Sequence, residues 1–397
     1  MKIYKNLVNA IALTLKEILS NKAHADKAIE RLFKQNAQWG SRDRRFVAEG
    51  VYEIVRNFRL YSELAETQNN FWFITAVWLV VKHIEIPEWP EFKHVKADYI
   101  LSQKEKLKSN LAVYESYPDW MWQLGSAELG EDIWEREAVA MNAQADVFLR
   151  ANTLKTTRRN LSENLAKEKI ATEEIAETTN TLRLTKRENV FQSKLFKDGW
   201  FEVQDKGSQI ISEFLNPKPG EFVIDACAGA GGKSLHLAAI MLNKGKIVCL
   251  DVESWKLEHL RKRAKRAGVF NIETRVADPY STTTESLVSK ADKLLLDVPC
   301  SGLGVLKRNP DAKWKLSIES IEQTKIKQQQ ILDDYSKMLK PNGKMVYSTC
   351  SILPSENQWP VKKFLARNLN FQLIEEKTLL PSEGADGFYM ALLQKLN

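Results

Sequence analysis

Cysteine and histidine are scarce in this chain. Its 397 residues hold four cysteines, Cys227, Cys249, Cys300 and Cys350, and five histidines. Four scattered thiols exclude a disulfide-stapled secreted fold, and the lack of any Cys-x-x-Cys pair argues against a structural zinc site. Long apolar runs are also missing. The longest, residues 71–81, ends at Lys82 and His83 and falls well short of the roughly 20 residues that span a bilayer. It reads as a buried helix, and no membrane partner is expected. The N-terminus, Met-Lys-Ile-Tyr-Lys-Asn, has no signal-peptide core. These absences leave a cytoplasmic, reducing setting, in which cysteine serves as a free thiol. Charge is not strongly one-sided. Lys plus Arg number 58 against 51 for Asp plus Glu, a net charge of +7 with a pI near 9.0. That permits a polyanionic partner without demanding one.

What is present is ample apolar material, 44% of residues, with 27% charged, in a length that suits two or three domains. Residues 1–115 read as all-helical. Leu7, Ile11, Leu15 and Ile18 recur at helical spacing, and Phe46, Val47, Val51, Ile54 and Val55 line one face of a later helix. Residues 116–205 alternate short helix and strand patterns, which suggests a small α+β module. Residues 206–397 show strand-like runs at 222–225, 247–251, 272–276, 293–298 and 344–348. Helical patterns at 234–242, 255–267, 318–339 and 356–367 separate or follow them. Such alternation predicts an α/β domain with a Rossmann-like, mostly parallel, doubly wound sheet that binds ligands beyond the strand C-termini.

Asp225-Ala-Cys-Ala-Gly-Ala-Gly-Gly-Lys-Ser234 follows the first of these strands and opens a helix. Its glycines allow a tight turn and close backbone approach to a ligand. The Gly-Lys-Ser end is not a P-loop, because Cys227 stands where that motif needs glycine. Asp251 ends the second strand, where a carboxylate can accept from ribose hydroxyls, and Asp278 follows the third. This grouping fits a nucleoside cofactor. The fourth strand ends in Asp297-Val-Pro-Cys-Ser-Gly302 and the fifth in Tyr347-Ser-Thr-Cys-Ser351. If those strands are neighbours, their ends lie ~5 Å apart. Cys300 and Cys350 then face one crevice, and covalent catalysis by a thiolate is the expectation. Either cysteine could present the nucleophile. Cys249, inside a strand, reads as an ordinary small apolar residue.

These motifs resemble the RsmB and Sun-type family of RNA cytosine-5 methyltransferases along nearly the whole chain. Ser41-Arg-Asp-Arg-Arg-Phe-Val-Ala-Glu-Gly-Val-Tyr-Glu-Ile-Val-Arg56 looks like the NusB-like helical domain of the RsmB branch. Gly199-Trp-Phe-Glu-Val-Gln-Asp-Lys-Gly-Ser208 looks like the entry to the catalytic domain, and Gly387-Phe-Tyr-Met-Ala391 like its closing strand. The resemblance implies S-adenosylmethionine as methyl donor and a cytosine in RNA as acceptor, most of all 16S ribosomal RNA, with transfer RNA as the alternative. It implies Cys350 as nucleophile, Cys300 assisting release of the methylated base, and Asp297 bonding the pyrimidine and lying near the cofactor. The cofactor is expected along Cys227, Ala228, Gly229, Ala230, Gly231, Gly232 and Lys233, with Asp251 on the ribose and Asp278 near the adenine. The family usually has proline where Ala230 stands, so the turn here is expected to be looser.

Lys307 and Arg308, just after the fourth motif, are expected to hold RNA phosphates. Lys256, Arg261, Lys262, Arg263, Lys265 and Arg266 on one helix either do the same or form a solvated face. The helical domain and the α+β module are expected to bind RNA. No metal is expected, and the chain is expected to act as a monomer. Two other functions stay open on the residues alone. One is a nucleotide-linked oxidoreductase, which leaves the paired cysteines unexplained. The other is a non-catalytic RNA-binding module.

Overall fold

The computed structural model describes residues 3–277 and 284–397. By internal packing the chain divides into two units, Met1–Gln144 with Leu306–Ile318, and Ala145–Val305 with Glu319–Asn397.

The first unit is helical. Helices Lys5–Leu19, Ser41–Arg56 and Phe71–Val81 supply most of its core, including Val8, Ile11, Leu15, Val47, Ile54, Ile74 and Val77. The run at 71–81 is apolar on nearly every side, and a helix of that kind is stable only when surrounded. Among the described residues no helix is long and apolar enough to cross a membrane. The sequence pattern drew a boundary at 115, whereas packing carries this unit through residue 144. Arg59 of the bundle pairs with Asp119 at 2.7 Å and the Leu60 amide donates to Ser116 Oγ at 2.8 Å, while an aromatic cluster holds the two added helices together. Tyr117 meets Trp134 edge-on at 5.5 Å, Trp122 packs on the same indole at 6.1 Å, and the Tyr117 hydroxyl donates to the Ala138 carbonyl at 2.9 Å. Helices Asp119–Leu129 and Glu131–Met141 therefore belong with the bundle.

Segment Leu306–Ile318 also belongs here. Lys313, 1% exposed, reaches the carbonyls of Arg56, Glu115 and Ser116 at 3.2 Å each and the Asn142 Oδ1 at 2.6 Å. Its ammonium stands 3.8 Å from the centre of the Tyr117 ring. Trp314 donates to the Val55 carbonyl at 2.6 Å and meets Phe58 edge-on.

The second unit holds two sheets. Strands β1 (Phe148–Ala151), β2 (Thr172–Glu174), β3 (Thr181–Leu184) and β4 (Phe201–Val203) form an antiparallel sheet in the order β2-β3-β1-β4. Helix Arg158–Lys167, capped by the Thr157 side chain, places Leu161 and Leu165 on its core beside Leu149, Leu182 and Phe201. Strands β5 (Phe222–Asp225), β6 (Lys246–Asp251), β7 (Ile272–Val276), β8 (Ala291–Asp297), β9 (Leu339–Thr349), β10 (Phe371–Leu379) and β11 (Phe388–Lys395) form the larger sheet, in the order β10-β11-β9-β8-β5-β6-β7.

The strands from β7 to β9 run parallel. Their inner members are continuous apolar runs such as Leu294-Leu-Leu296, as a sheet covered on both faces requires. β11 and β10 close the edge antiparallel. β10 is absent from the sequence pattern because Glu375, Glu376 and Lys377 interrupt its apolar residues. Those exposed charges suit an edge strand that must not recruit another chain. Helix Lys206–Leu215 also escaped the pattern.

Candidate active site

The crevice lies where β5, β6, β8 and β9 end. β5 delivers Asp225, and the chain then turns through two left-handed glycines, Gly229 (φ +54) and Gly231 (φ +84), into helix Gly232–Ile240. A side chain at Gly231 would strike Leu260 at 2.5 Å, so the loop is pressed against helix Ser254–Ala267, whereas one at Gly229 meets nothing within 4 Å. The loop is closed by the Gly231 amide donating to the Ala228 carbonyl at 2.9 Å. Asp251, at the end of β6, accepts the Gly229 amide on Oδ2 and the Glu253 amide on Oδ1, both at 2.9 Å. Each oxygen retains a second lone pair for a hydroxyl donor. Asp225 is 1% exposed. Its Oδ2 accepts the Ser234 hydroxyl at 2.6 Å, and among the described residues no side chain hydrogen-bonds its Oδ1. Burial raises this carboxyl to about 7. An open side at Gly229, a bidentate acid beside it and the buried Asp225 Oδ1 fit a polar nucleoside-bearing group such as S-adenosylmethionine.

β8 and β9 are neighbours with Asp297 opposite Ser348, and the turns that follow bring Cys300 Sγ to 3.3 Å from Cys350 Sγ. The Cys350 amide donates to Cys300 Sγ at the same distance. The hydrogen bond with Cys350 and then burial push the Cys300 thiol well above its usual range, so Cys300 holds its proton at neutral pH. Lys233 extends from the first turn of its helix and donates to Asp297 Oδ2 at 2.6 Å, while Ser348 Oγ donates to Oδ1 at 3.1 Å. Burial works against the Lys233 ammonium, but Asp297 and the Cys350 sulfur beyond it outweigh burial and raise it. Cys227 is held well above the thiol range by burial and by Asp225, so it is an inert wall of the loop. Cys249 is buried within β6.

The sequence pattern missed the residues behind the thiols. Glu356 is fully buried and accepts the Ser301 amide at 2.7 Å, the Ser301 hydroxyl, and Gln328 Nε2 at 3.3 Å. Gln328 also donates to the Pro299 carbonyl at 2.9 Å. Asn357 accepts from Thr349 at 2.5 Å and donates to the Ser351 carbonyl at 3.0 Å. Both cysteine turns are thus tied to one polar segment. Its only signal in the sequence is the triplet Ser355-Glu-Asn357 ahead of an apolar helix.

Asp278 lies outside the described residues. Lys307 and Arg308 belong to the segment packed in the helical unit, where Arg56 donates to the Lys307 carbonyl at 3.0 Å. Of the basic helix, Arg263 and Arg266 turn inward onto Glu202. Arg261 reaches Thr274 at 2.8 Å, Lys256 pairs with Glu253 at 3.0 Å, and Lys262 and Lys265 are exposed.

Sheet order, glycine loop and strand-end acid together define a Rossmann-like methyltransferase fold. Residues 212–394 match the family described as 16S rRNA methyltransferase RsmB/F, and residues 117–191 match the RsmF/B-like ferredoxin-like domain. The probable ribosomal RNA small subunit methyltransferase B of Synechocystis is 33% identical over 72% of this chain and 69% of its own length. The ribosomal RNA small subunit methyltransferase B of Vibrio cholerae is 33% identical over 70% and 65%. The chain belongs to the RsmB/F family of rRNA methyltransferases. It spans about two thirds of the length of these relatives.

Among solved structures, a methyltransferase homolog from Pyrococcus horikoshii shares 27% identity, with a TM-score of 0.64 over 74% of this chain and 99% of that one. NSun6 from the same organism, solved with SFG, gives a TM-score of 0.65 over 71% and 99% at 21% identity. The structure titled PH0851 gives 0.82 over all of both chains at 24%. These last two speak to fold alone.

Proposed function

We propose that the protein transfers a methyl group from S-adenosylmethionine to carbon 5 of a cytosine in small-subunit ribosomal RNA, through a covalent adduct on Cys350. The pair of thiols 3.3 Å apart beside the Lys233–Asp297 ion pair carries this reading. S-adenosylmethionine supplies an electrophilic methyl group. The loop from Cys227 to Lys233 and Asp251 hold it, with Asp278 assigned to the adenine side.

Carbon 5 of cytosine is a weak nucleophile. The Cys350 thiolate adds to carbon 6, breaking the ring's 5,6 double bond, and the displaced electron pair makes carbon 5 nucleophilic. Asp297 accepts from the pyrimidine's exocyclic amine and fixes the ring, with Lys233 balancing its charge. Carbon 5 takes the methyl group as the donor's carbon–sulfur bond breaks and its thioether departs, and a base then removes the remaining hydrogen there. The freed pair restores the double bond, and Cys350 leaves with the electrons of the carbon–sulfur bond. Cys300 keeps its proton, donates it in a hydrogen bond to the departing sulfur, and so assists release.

The target cytosine must be unstacked, because carbon 6 is hidden in a helix. In this reading residues 1–115 and 116–205 bind RNA, 206–397 catalyse, Lys307 and Arg308 contact phosphates, and the protein acts as a cytoplasmic monomer.

The test is methylation of ribosomal RNA by purified protein, with bisulfite sequencing of rRNA and tRNA from a deletion strain. Loss of one rRNA 5-methylcytosine is expected, and loss of a tRNA site instead would replace the substrate. Cys350→Ala is expected to abolish transfer, and Cys300→Ala to accumulate a protein–RNA adduct on denaturing gels. Wild-type turnover in Cys350→Ala refutes the covalent mechanism.

A further inference from the structure

Two arginines grip the outer side of the glycine loop, and neither was expected to serve the cofactor. Arg150 on β1 is 2% exposed, and its Nη1 donates to the Gly232 carbonyl at 2.7 Å and to Gln204 Oε1. Gln204 is held in turn by Ser208 at 3.0 Å. Arg263, on helix Ser254–Ala267, donates from Nη1 to the Ala230 carbonyl at 2.7 Å and from Nη2 to Glu202 at 3.0 Å. Glu202 lies on β4, is 3% exposed, and also binds Arg266, whose guanidinium stacks 4.0 Å from the Phe196 ring centre. The backbones are joined as well. Asn152 donates to the Gly199 carbonyl at 2.8 Å and the Ala267 carbonyl at 2.7 Å. Glu202 and the partly buried Glu213, which also acts on Arg150, set two carboxylates against three guanidiniums. The loop carbonyls supply the remaining negative dipoles, so loop and network complete each other.

We infer that the four-stranded sheet is a positioning element for the cofactor loop, with two clamps: Arg150 of β1 directly, and Arg263 of helix Ser254–Ala267, which Glu202 of β4 holds in place. A peptide plane is rigid. The plane joining Ala230 to Gly231 is therefore held at both ends, by Arg263 on its oxygen and by the Ala228 carbonyl on its amide. The Gly232 carbonyl is held at its oxygen by Arg150 at the mouth of its helix. The amides that face the crevice inherit that orientation. This matters most at Ala230, where no pyrrolidine ring fixes φ. Burial lowers Arg150 only to about 10, so the clamp stays charged at neutral pH. The inference rests on the proposed role of the loop as the S-adenosylmethionine cradle.

The experiment uses the full-length protein and measures S-adenosylmethionine binding by calorimetry, RNA affinity, and hydrogen exchange of amides 228–233 without cofactor. Arg150→Met and Arg263→Met are each expected to weaken S-adenosylmethionine binding by about tenfold or more. Exchange of the loop amides speeds up, while RNA affinity stays within about twofold. A general loss of folding would instead move all readouts together. Ala230→Pro added to Arg263→Met is expected to recover part of the cofactor affinity, since the ring replaces the lost restraint. If Arg150→Met does not fold, Arg263→Met, whose side chain is 25% exposed, decides alone. Folded variants with wild-type cofactor affinity and wild-type loop exchange overturn the clamp. A wild-type protein that binds no S-adenosylmethionine overturns the cradle instead, and loop exchange still decides the clamp.

Discussion

Lys233, largely enclosed, and Lys313, fully buried, are the same residue in two different regions, and their surroundings push them in opposite directions. Lys233, in the crevice of the larger sheet, faces the Asp297 carboxylate at 2.6 Å. Against the cost of burial, that partner and the Cys350 sulfur raise its pKa. Lys313, in the helical unit, faces three backbone carbonyls, an amide oxygen and an aromatic ring. With burial dominant and the Arg56 guanidinium nearby, its pKa falls well below the usual lysine range. A buried ammonium among neutral dipoles ties chain segments together. One among a carboxylate and a thiol organises charge that a reaction can use. The comparison also explains why Leu306–Ile318 belongs to the helical unit although it follows the Cys300 turn in sequence.

The largest expected effect that would break this contrast is at Lys233. Lys233→Met leaves Asp297 without its cation and should reduce methyl transfer by roughly 10²–10³-fold, measured with saturating S-adenosylmethionine and RNA. Lys313→Met should act on stability. It takes the lysine donor from the Arg56 and Ser116 carbonyls and Asn142 Oδ1, while the Glu115 carbonyl keeps the Asn142 amide, and should cost about 3 kcal/mol in denaturant unfolding followed by tryptophan fluorescence. Transfer measured well below the transition should fall less than about tenfold. If Lys313→Met abolished transfer while leaving stability intact, the two lysines would not divide the work in this way.

The smallest effect concerns Asp225, which lies in the crevice but, like Lys313, has a neutral hydrogen-bond partner, Ser234. Its pKa is raised from 3.8 to about 7. The folded state therefore binds more protons than the unfolded chain between those values. The stability this group contributes is complete below pH ~4 and is lost as pH rises through ~7. Asp225→Asn should flatten that loss, by on the order of 2 kcal/mol across pH 5–8, in urea midpoints taken at each pH. An unchanged pH profile would show that Asp225 already ionises freely in the folded protein.

Much of the site was legible in the chain because it rests on short-range rules. A strand, a glycine turn and a helix start are contiguous in Asp225–Ser234, and strand adjacency alone predicted that Cys300 and Cys350 would meet. What could not be read was whatever depends on distant partners. Glu356 looks like the first residue of a helix, and only its hydrogen bonds to Ser301 and Gln328 show it to be a buried brace. Arg263 and Arg266 look like phosphate binders in a basic helix, and only Glu202, some 60 residues away, shows that they turn inward. For Lys307 and Arg308, only the packing shows that their segment joins the helical unit.

The amino-acid sequence by itself determined the α/β class, the glycine loop, the strand-end acids and the pairing of two thiols. Each follows from backbone propensity or side-chain period within a few residues. Tertiary structure alone decided which cations are spent internally, which acid is buried and which residues brace the two thiols. Those outcomes depend on desolvation and on partners far along the chain, and neither exists until the sheets and helices have packed.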